Sequence, residues 1–170
     1  PVHIFGHFMQ IKELTQLAKK FNLAIIEDAA EAIGSFYKKK HSGTFGNIGV
    51  LSFNGNKTIT CGSGGAILTN SKIIAQKARH LISTAKVHHS YNYIHDQIGY
   101  NYRMPNLNAA LGLAQIEQLN DFLIKKKEIA MQYKNWSKEN NLNIAKPIPN
   151  AEPNYWINVL IADDLEERNK

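Results

Sequence analysis

Two residues of this sequence, Asp28 and Lys57, could together carry out chemistry on an amine. Asp28 follows a predicted buried strand over residues 23–26, and Lys57 follows another over residues 50–53. In open parallel sheets, ligands bind outside the carboxyl ends of the strands. A lysine there can form a Schiff base with pyridoxal 5′-phosphate (PLP), and a carboxylate can pair with the pyridinium nitrogen. A helix cap and a surface cation would explain the same two residues, so the spacing leaves both interpretations open.

Phosphate ligands are suggested by Ser52 and by the glycine-rich residues 62–65. A hydroxyl and several backbone N–H groups can bind a phosphate together. A tight turn between two strands is the simpler explanation of the glycines. They do not form G-x-G-x-x-G and they lead into a strand, which argues against a dinucleotide site.

Three histidines, His88, His89 and His95, lie within eight residues and could indicate a metal. Cys61 is the single cysteine and H-E-x-x-H does not occur, so we predict no metal site. A polar loop with solvated or substrate-facing histidines fits better. The tyrosines of this segment, with Arg103, could stack on nucleic-acid bases, or they could cover the cleft of another subunit.

The apolar pattern predicts the elements that position these residues. A strand over residues 2–5, a helix over residues 9–21 and the strand over residues 23–26 form a βαβ unit, which implies a parallel sheet. The strand over residues 50–53 is followed by a strand over residues 66–69 and a helix over residues 71–84.

The second half of the chain is predicted to contain a long polar connection over residues 85–104. A helix then runs from Pro105 to about residue 136, with a break near residues 120–121. Three prolines mark a linker, and residues 155–161 form a strand. We therefore predict one domain over residues 1–146, and a linker with the start of a truncated second domain over residues 147–170.

Composition excludes several classes of protein. The chain has 170 residues, 44% of them hydrophobic, which is ordinary for a globular domain. The net charge of +6 comes from lysines in short runs with acids nearby, so we predict a solvated face and no nucleic-acid partner. No apolar run approaches the ~20 residues of a membrane span. The lone cysteine excludes an intramolecular disulfide and favours a reducing cytoplasm.

Five strings occur in a characteristic order and spacing: PVHIFG (1–6), EDAAE (27–31), SFNGNK (52–57), GSGGA (62–66) and GYNYRM (99–104). Together they resemble the DegT/DnrJ/EryC1/StrS family of PLP-dependent nucleotide-sugar aminotransferases, over nearly all of residues 1–161. The Asn-Gly-Asn-Lys string and residues 93–96 are similar to one subgroup. Its members aminate the 4-keto position of UDP-linked 4-keto-6-deoxy-N-acetyl sugars, as in the legionaminic acid and bacillosamine pathways.

The resemblance implies an α/β protein with the type I PLP-dependent aminotransferase fold, whose large domain is an αβα sandwich. It implies a cytoplasmic homodimer with shared active sites, glutamate as amino donor and a nucleotide-sugar substrate. Family members are more than twice this length, so we expect this chain to be an internal piece of a longer protein. The absent part carries a phosphate loop and an aromatic near the cofactor ring, so we expect the 170 residues alone to be inactive.

The family's residue roles transfer to matching positions of the second and third strings. Lys57 matches the Schiff-base lysine, which also shuttles a proton, and Asp28 matches the partner of the pyridinium nitrogen. Ala30 matches the small residue against the ring face, and Ser52 a hydroxyl donor to the phosphate. Glu31 occupies a position that is Gln or His in many members, near the cofactor's 3-hydroxyl. A carboxyl group there would have to be protonated, or else the cofactor's hydroxyl would have to donate its proton to the carboxylate.

Three later residues are assigned by the same resemblance. Asn101 matches an amide that reaches the phosphate of the neighbouring subunit, and Arg103 and His95 are assigned to substrate binding. The alternatives are a PLP-dependent sugar dehydratase and a catalytically silent protein that retains the fold. In the dehydratase a histidine replaces the lysine, so Lys57 argues against it.

Overall fold

The structure is a computed structural model, and it describes residues 1–169. Ten short strands are formed within these residues: β1 (Ile26–Asp28), β2 (Phe36–Tyr37), β3 (Lys40–His41), β4 (Ile48–Ser52), β5 (Gly65–Leu68), β6 (Lys86–Val87), β7 (Ile94–His95), β8 (Asn143–Ile144), β9 (Ala151–Glu152) and β10 (Leu160–Ile161). The α-helices within them are α1 (Ile11–Lys20), α2 (Lys72–Ile82), α3 (Asn106–Glu117), α4 (Leu119–Glu139) and α5 (Leu165–Asn169).

The central sheet has the order β1-β4-β5. Strands β1 and β4 are parallel, with Asp28 opposite Val50, which agrees with the predicted parallel sheet, whereas the strand predicted over residues 2–5 contributes only a single parallel bridge. Strand β5 runs antiparallel to β4, with Gly65 opposite Ser52, so the sheet is mixed. Asp28 and Ser52 thus end neighbouring parallel strands at the same edge.

The strand predicted over residues 2–5 is wrong beyond its first residue. Val2 bridges Asp28 in parallel, and then residues Ile4–Gly6 form a 3₁₀ turn. Phe5 and Gly6 have φ angles of +57° and +85°, which a strand cannot contain. Gly6 packs so closely on Asn154 that a Cβ would lie 1.8 Å from its Oδ1, so the glycine is required here.

The second strand is also shifted, because β1 begins at Ile26 where the predicted strand ends. Glu27 in its middle is fully buried. Its carboxylate binds His3 Nε2 at 3.0 Å and accepts the N–H groups of Gly43 at 2.9 Å and Gly46 at 2.5 Å. Burial raises the pKa of the Glu27 carboxyl, but these hydrogen bonds outweigh it, and the pKa lies below its usual value. The carboxylate therefore joins three separate segments of chain at β1.

The helices agree well with the apolar pattern. Helix α1 lies inside the predicted range and buries Ile11 and Ala18. Helix α2 begins after Ser71, whose hydroxyl accepts the N–H of Ile74 at 3.4 Å. The long helix after Pro105 is divided into α3 and α4 at Gln118, two residues before the predicted break.

The hydrophobic core lies directly behind the edge that carries Asp28 and Ser52. The cluster of buried residues there is formed by Ala29, Ala32, Ile33, Leu51 and Ile59. Leu119 and Phe122, at the beginning of α4, pack against it. Because Ala29 and Leu51 adjoin Asp28 and Ser52 in sequence, core packing fixes the backbone at both candidate site residues.

The connection over residues 85–104 contains a hairpin that was not predicted. Strands β6 and β7 pair antiparallel, and residues after β7 attach to α2. The carboxylate of Asp96 lies 2.7 Å from His80 Nε2, and Lys77 donates to the side chain of Gln97. The hairpin is therefore fixed to the protein at its base.

The segment predicted as a linker also forms structure, since β9 pairs antiparallel with β2. The strand predicted over residues 155–161 is limited to β10, which pairs with β8. The division into two domains at residue 147 stays a prediction.

A pH dependence of stability is expected from His41. Its Nε2 accepts the N–H of Gly34 at 2.8 Å, and its Nδ1 donates to the carbonyl of Ser42 at 2.5 Å. Burial lowers the pKa of His41 and outweighs the Ser42 hydrogen bond and the Glu27 charge, which raise it. The unfolded chain then binds a proton that the folded chain does not, so stability falls as the pH decreases from about 6.5 toward the folded pKa.

Thermal unfolding of the full-length protein between pH 5 and 7.5 measures this effect. His41→Gln should flatten the pH dependence, whereas His89→Gln, at an exposed position, should leave it unchanged. Equal slopes in His41→Gln and wild type would contradict the assignment.

Candidate active site

Lys57 lies in a closed loop between β4 and β5. The loop is closed where the N–H of Phe53 donates to the carbonyl of Gly64 at 2.9 Å. Phe53 also accepts the N–H of Cys61 at 3.0 Å, and the N–H of Lys57 donates to Asn54 at 3.1 Å. Three backbone hydrogen bonds therefore fix the loop that carries the lysine. The glycines after it form the turn into β5, as the simpler interpretation predicted.

The Lys57 side chain is only 12% exposed, so it is not a solvated surface cation. Its Nζ lies 3.6 Å from Oε1 of Glu31. On another side it lies 4.1 Å from the ring centroid of Trp156. The ammonium is thus held between a carboxylate and an aromatic face, both of which attract a cation.

Glu31 is fixed at both ends. Its Oε2 accepts the N–H of Phe5 at 2.6 Å, while its backbone carbonyl accepts from Asn154 at 2.9 Å. Both partners of the carboxylate, Phe5 and Lys57, are donors. Glu31 therefore acts as an acceptor in this structure, and its predicted role near a cofactor hydroxyl stays a prediction.

Asp28 is exposed at the end of β1. Its Oδ1 accepts the N–H of Ala30 at 3.1 Å, so it does cap the turn that follows. Its backbone is held on both sides, because its N–H donates to Pro1 and its carbonyl accepts from His3. The second carboxylate oxygen is left for a further donor.

Ser52 ends the neighbouring strand. Its Oγ accepts the N–H of Asn54 at 3.3 Å, which leaves the hydroxyl proton for an acceptor. The edge of the sheet and the loop thus present a carboxylate oxygen, a hydroxyl donor and an enclosed amine. This set matches the pyridine nitrogen, the phosphate and the aldehyde of PLP, so the residues present fit that cofactor.

Three residues predicted for the site lie outside the loop that carries Lys57. Asn101 is exposed and forms a backbone bridge with Ser83. His95 is exposed in β7, where its Nδ1 lies 2.7 Å from the carbonyl of Thr84. Arg103 lines a groove of about 730 Å³ over β4 and β5. Within residues 1–169, no hydrogen bond or ion pair joins any of the three to Lys57.

Two residues at the site were not found from the sequence, Asn154 and Trp156. Asn154 is 1% exposed, and its Nδ2 lies within 3.2 Å of the carbonyls of Glu31 and Ile33 and the hydroxyl of Thr58. Its Oδ1 accepts the N–H of Trp156 at 2.9 Å. The single signal in the sequence was an aromatic pair, Tyr155 and Trp156, which begins two residues after the last proline of the predicted linker.

Within residues 1–169, no group of three or more His, Cys, Asp or Glu residues is arranged to hold a metal ion. None of the helices described is both long enough and apolar enough to cross a membrane.

Comparison with known proteins gives a match to one family and to several of its relatives. The model of the DegT/DnrJ/EryC1/StrS aminotransferase family matches residues 1–170. A protein from Escherichia coli O157:H7 named GDP-perosamine synthase is 44% identical over 99% of this chain and 46% of its own length. The UDP-4-amino-4,6-dideoxy-N-acetyl-beta-L-altrosamine transaminase of Campylobacter jejuni (serotype O:23/36, strain 81-176) is 36% identical over 75% of this chain and 34% of its own length.

A solved structure shows the same architecture. Helicobacter pylori PseC, an aminotransferase involved in the biosynthesis of pseudoaminic acid, superposes with a TM-score of 0.87 at 27% identity. The superposition covers 92% of this chain and 43% of that one. The chain spans less than half the length of the relatives that it matches.

The Asn154 side chain is expected to be essential for stability. Asn154→Ala leaves the buried carbonyls of Glu31 and Ile33 without this donor, so it should lower the free energy of unfolding by about 2 kcal/mol. Urea unfolding of the full-length protein measures the change. Asn70→Ala, at an exposed position, is the control, and a loss below about 0.5 kcal/mol in Asn154→Ala would contradict the expectation.

Proposed function

Since the chain belongs to the DegT/DnrJ/EryC1/StrS aminotransferase family, we propose that the protein transfers an amino group to a keto carbon of a nucleotide-linked sugar, with PLP as cofactor. The fold is that of the type I PLP-dependent aminotransferases. The observation that carries the proposal is the Lys57 amine, which is 12% exposed and lies 3.6 Å from Glu31 in the loop after β4. A largely enclosed amine beside a carboxylate is what an amine-handling site needs.

The reactive roles follow from the contacts of Lys57. When bound, PLP supplies a carbonyl that bonds to amines and a ring that takes up electrons. Lys57 holds the cofactor through Nζ and, when free, carries a proton on that atom. Glu31 Oε1 attracts the charged form of the amine, and the closed loop limits how far the amine can move.

The remaining residues of the edge orient the cofactor. The other oxygen of Asp28 would accept a hydrogen bond from the protonated ring nitrogen and so keep that nitrogen protonated. The Ser52 hydroxyl donates to a phosphate oxygen. Ala30, whose N–H already binds Asp28, presents a small side chain that leaves room for a flat ring.

The substrate proposed in detail is a UDP-linked 4-keto-6-deoxy-N-acetyl sugar, with glutamate as the amino donor in a ping-pong reaction. The Campylobacter relative supports this choice, since its name describes a UDP-linked 4-amino-4,6-dideoxy-N-acetyl sugar. A GDP-linked sugar is the second candidate, because the Escherichia coli relative at 44% identity is named GDP-perosamine synthase.

We also propose a homodimer with shared active sites. Asn101, Arg103 and His95 make no hydrogen bond or ion pair with Lys57 within residues 1–169, and all three are exposed. Residues in this arrangement can serve the site of a neighbouring subunit. The 170 residues alone are expected to be inactive.

Lys57→Ala in the full-length protein should abolish transamination while the fold is retained, because the amine that holds the cofactor is lost. The assay offers glutamate with a UDP-linked or a GDP-linked 4-keto-6-deoxy sugar and detects the amino sugar by mass. The UDP-linked sugar is expected to react faster in wild type.

Borohydride reduction of the wild-type protein with PLP, followed by peptide mapping, is the companion measurement. A pyridoxyl adduct on Lys57 is expected, and Lys127→Ala, at an exposed position of α4, is the control that should keep both the adduct and the activity. Wild type without an adduct would leave the catalytically silent protein as the better interpretation, and retained turnover in Lys57→Ala would refute the role of the lysine.

Asp28→Asn should lower kcat by more than about tenfold, because a neutral amide cannot hold the proton of the pyridinium nitrogen. The Ala30 N–H keeps an oxygen acceptor in this variant, so the turn after β1 should be preserved. Asp121→Asn, on the exposed surface of α4, is the control. An unchanged rate in Asp28→Asn would mean that the residue only caps the turn.

A further inference from the structure

The Trp156 side chain makes two polar contacts with the loop that carries Lys57, one through its ring face and one through its indole N–H. The centroid of its ring lies 4.1 Å from Lys57 Nζ, and the ring stacks on no other aromatic side chain within the described residues. Its indole Nε1 donates to the carbonyl of Asn56 at 2.7 Å. One side chain therefore touches both the amine and the peptide group that precedes it.

Trp156 is itself held from both sides. Its N–H donates to Oδ1 of the buried Asn154 at 2.9 Å, and its carbonyl accepts from Lys126 Nζ at 3.3 Å. Asn154 also reaches Thr58, the residue after Lys57, at 3.2 Å. The segment around Trp156 thus forms hydrogen bonds with the loop at the residues before and after the lysine, Asn56 and Thr58.

We propose that Trp156 is a positioning residue for Lys57, which holds the free amine beside Glu31 and fixes the peptide that carries it. The inference rests on the proposed function, in which Lys57 leaves the cofactor in one half-reaction and returns to it in the other. The aromatic face attracts the ammonium of Lys57 and so favours one position of Nζ. The hydrogen bond from the indole to the carbonyl of Asn56 restrains the backbone that carries the lysine. When it is not bonded to the cofactor, the Lys57 side chain is therefore held in one conformation and does not sample a range of rotamers.

Two variants separate the contributions of the ring. Trp156→Leu removes both the aromatic face and the indole donor. Trp156→Phe keeps a ring face over Lys57 and loses the bond to Asn56. Trp136→Leu is the matched control, because that tryptophan lies on α4, is 45% exposed and forms no hydrogen bond or cation–π contact with the loop within residues 1–169.

The test labels the full-length apoprotein with limiting acetic anhydride at fixed pH and maps the lysines by mass. The labelling rate of Lys57 is divided by that of the exposed Lys72 in the same sample. Relative to wild type, we expect a rise of about fivefold in Trp156→Leu and about twofold in Trp156→Phe, and no change in Trp136→Leu. In the loaded enzyme, kcat should fall in the same order while the KM for the sugar stays constant.

The outcomes distinguish this inference from the proposed function. If wild type forms the pyridoxyl adduct but both Trp156 variants label at the wild-type rate, the positioning role is overturned and the proposed function stands. If wild type forms no adduct, the proposed function falls, and the inference with it. Should Trp156→Leu fail to fold, Trp156→Phe decides: a raised rate supports the role and the wild-type rate refutes it.

Discussion

The hydrogen bonds of one buried amide, Asn154, connect the parts of the chain on which the candidate site depends. Its side chain reaches Glu31, Ile33 and Thr58, and so joins the turn after β1 to the loop after β4. A buried amide is stabilising only when its donors and acceptor are all paired, as they are here. Because the paired groups lie about a hundred residues apart in sequence, the amide brings Glu31 and Lys57 together as a consequence of folding.

The same constraint explains the start of the chain. Gly6 lies against Asn154 where no side chain would fit, and the hydroxyl of Ser35 donates to its carbonyl while accepting the N–H of Asn154. The 3₁₀ turn that results directs the N–H of Phe5 at Glu31. The turn that replaces the predicted strand is therefore what fixes the carboxylate beside the lysine amine.

The sequence predicted the site best where chemistry and local pattern coincide. Asp28 and Ser52 lie at strand ends, which a run of apolar residues locates, and the order of five strings indicated the family. A parallel pair of strands is present as expected, between β1 and β4, and the helix predicted from the apolar stripe over residues 9–21 is confirmed as α1. The positions of the individual site residues are placed by the structure, while their roles stay predictions.

What the sequence could not predict depends on contacts between distant residues. The hairpin of β6 and β7 is made of two-residue strands, too short for an alternating pattern, and it is attached through single side chains of α2. Trp156 was assigned to a strand that the structure limits to β10, because an aromatic residue among apolar ones is typical of strands. Nothing local distinguishes a tryptophan that packs in a sheet from one that covers a lysine.

Glu27 and Glu31 show how two carboxylates four residues apart take different roles. Glu27 is fully buried and accepts from His3 and two backbone N–H groups, so its charge is used within the protein to join segments around β1. Glu31 is 24% exposed, and among residues 1–169 its carboxylate has one backbone N–H and the Lys57 amine as partners. A carboxylate whose partner can leave costs little to separate from it, since water reaches the vacated oxygen. Partial exposure thus suits Glu31 to a site in which the lysine has to move, whereas the closed network of Glu27 suits a fixed structural role.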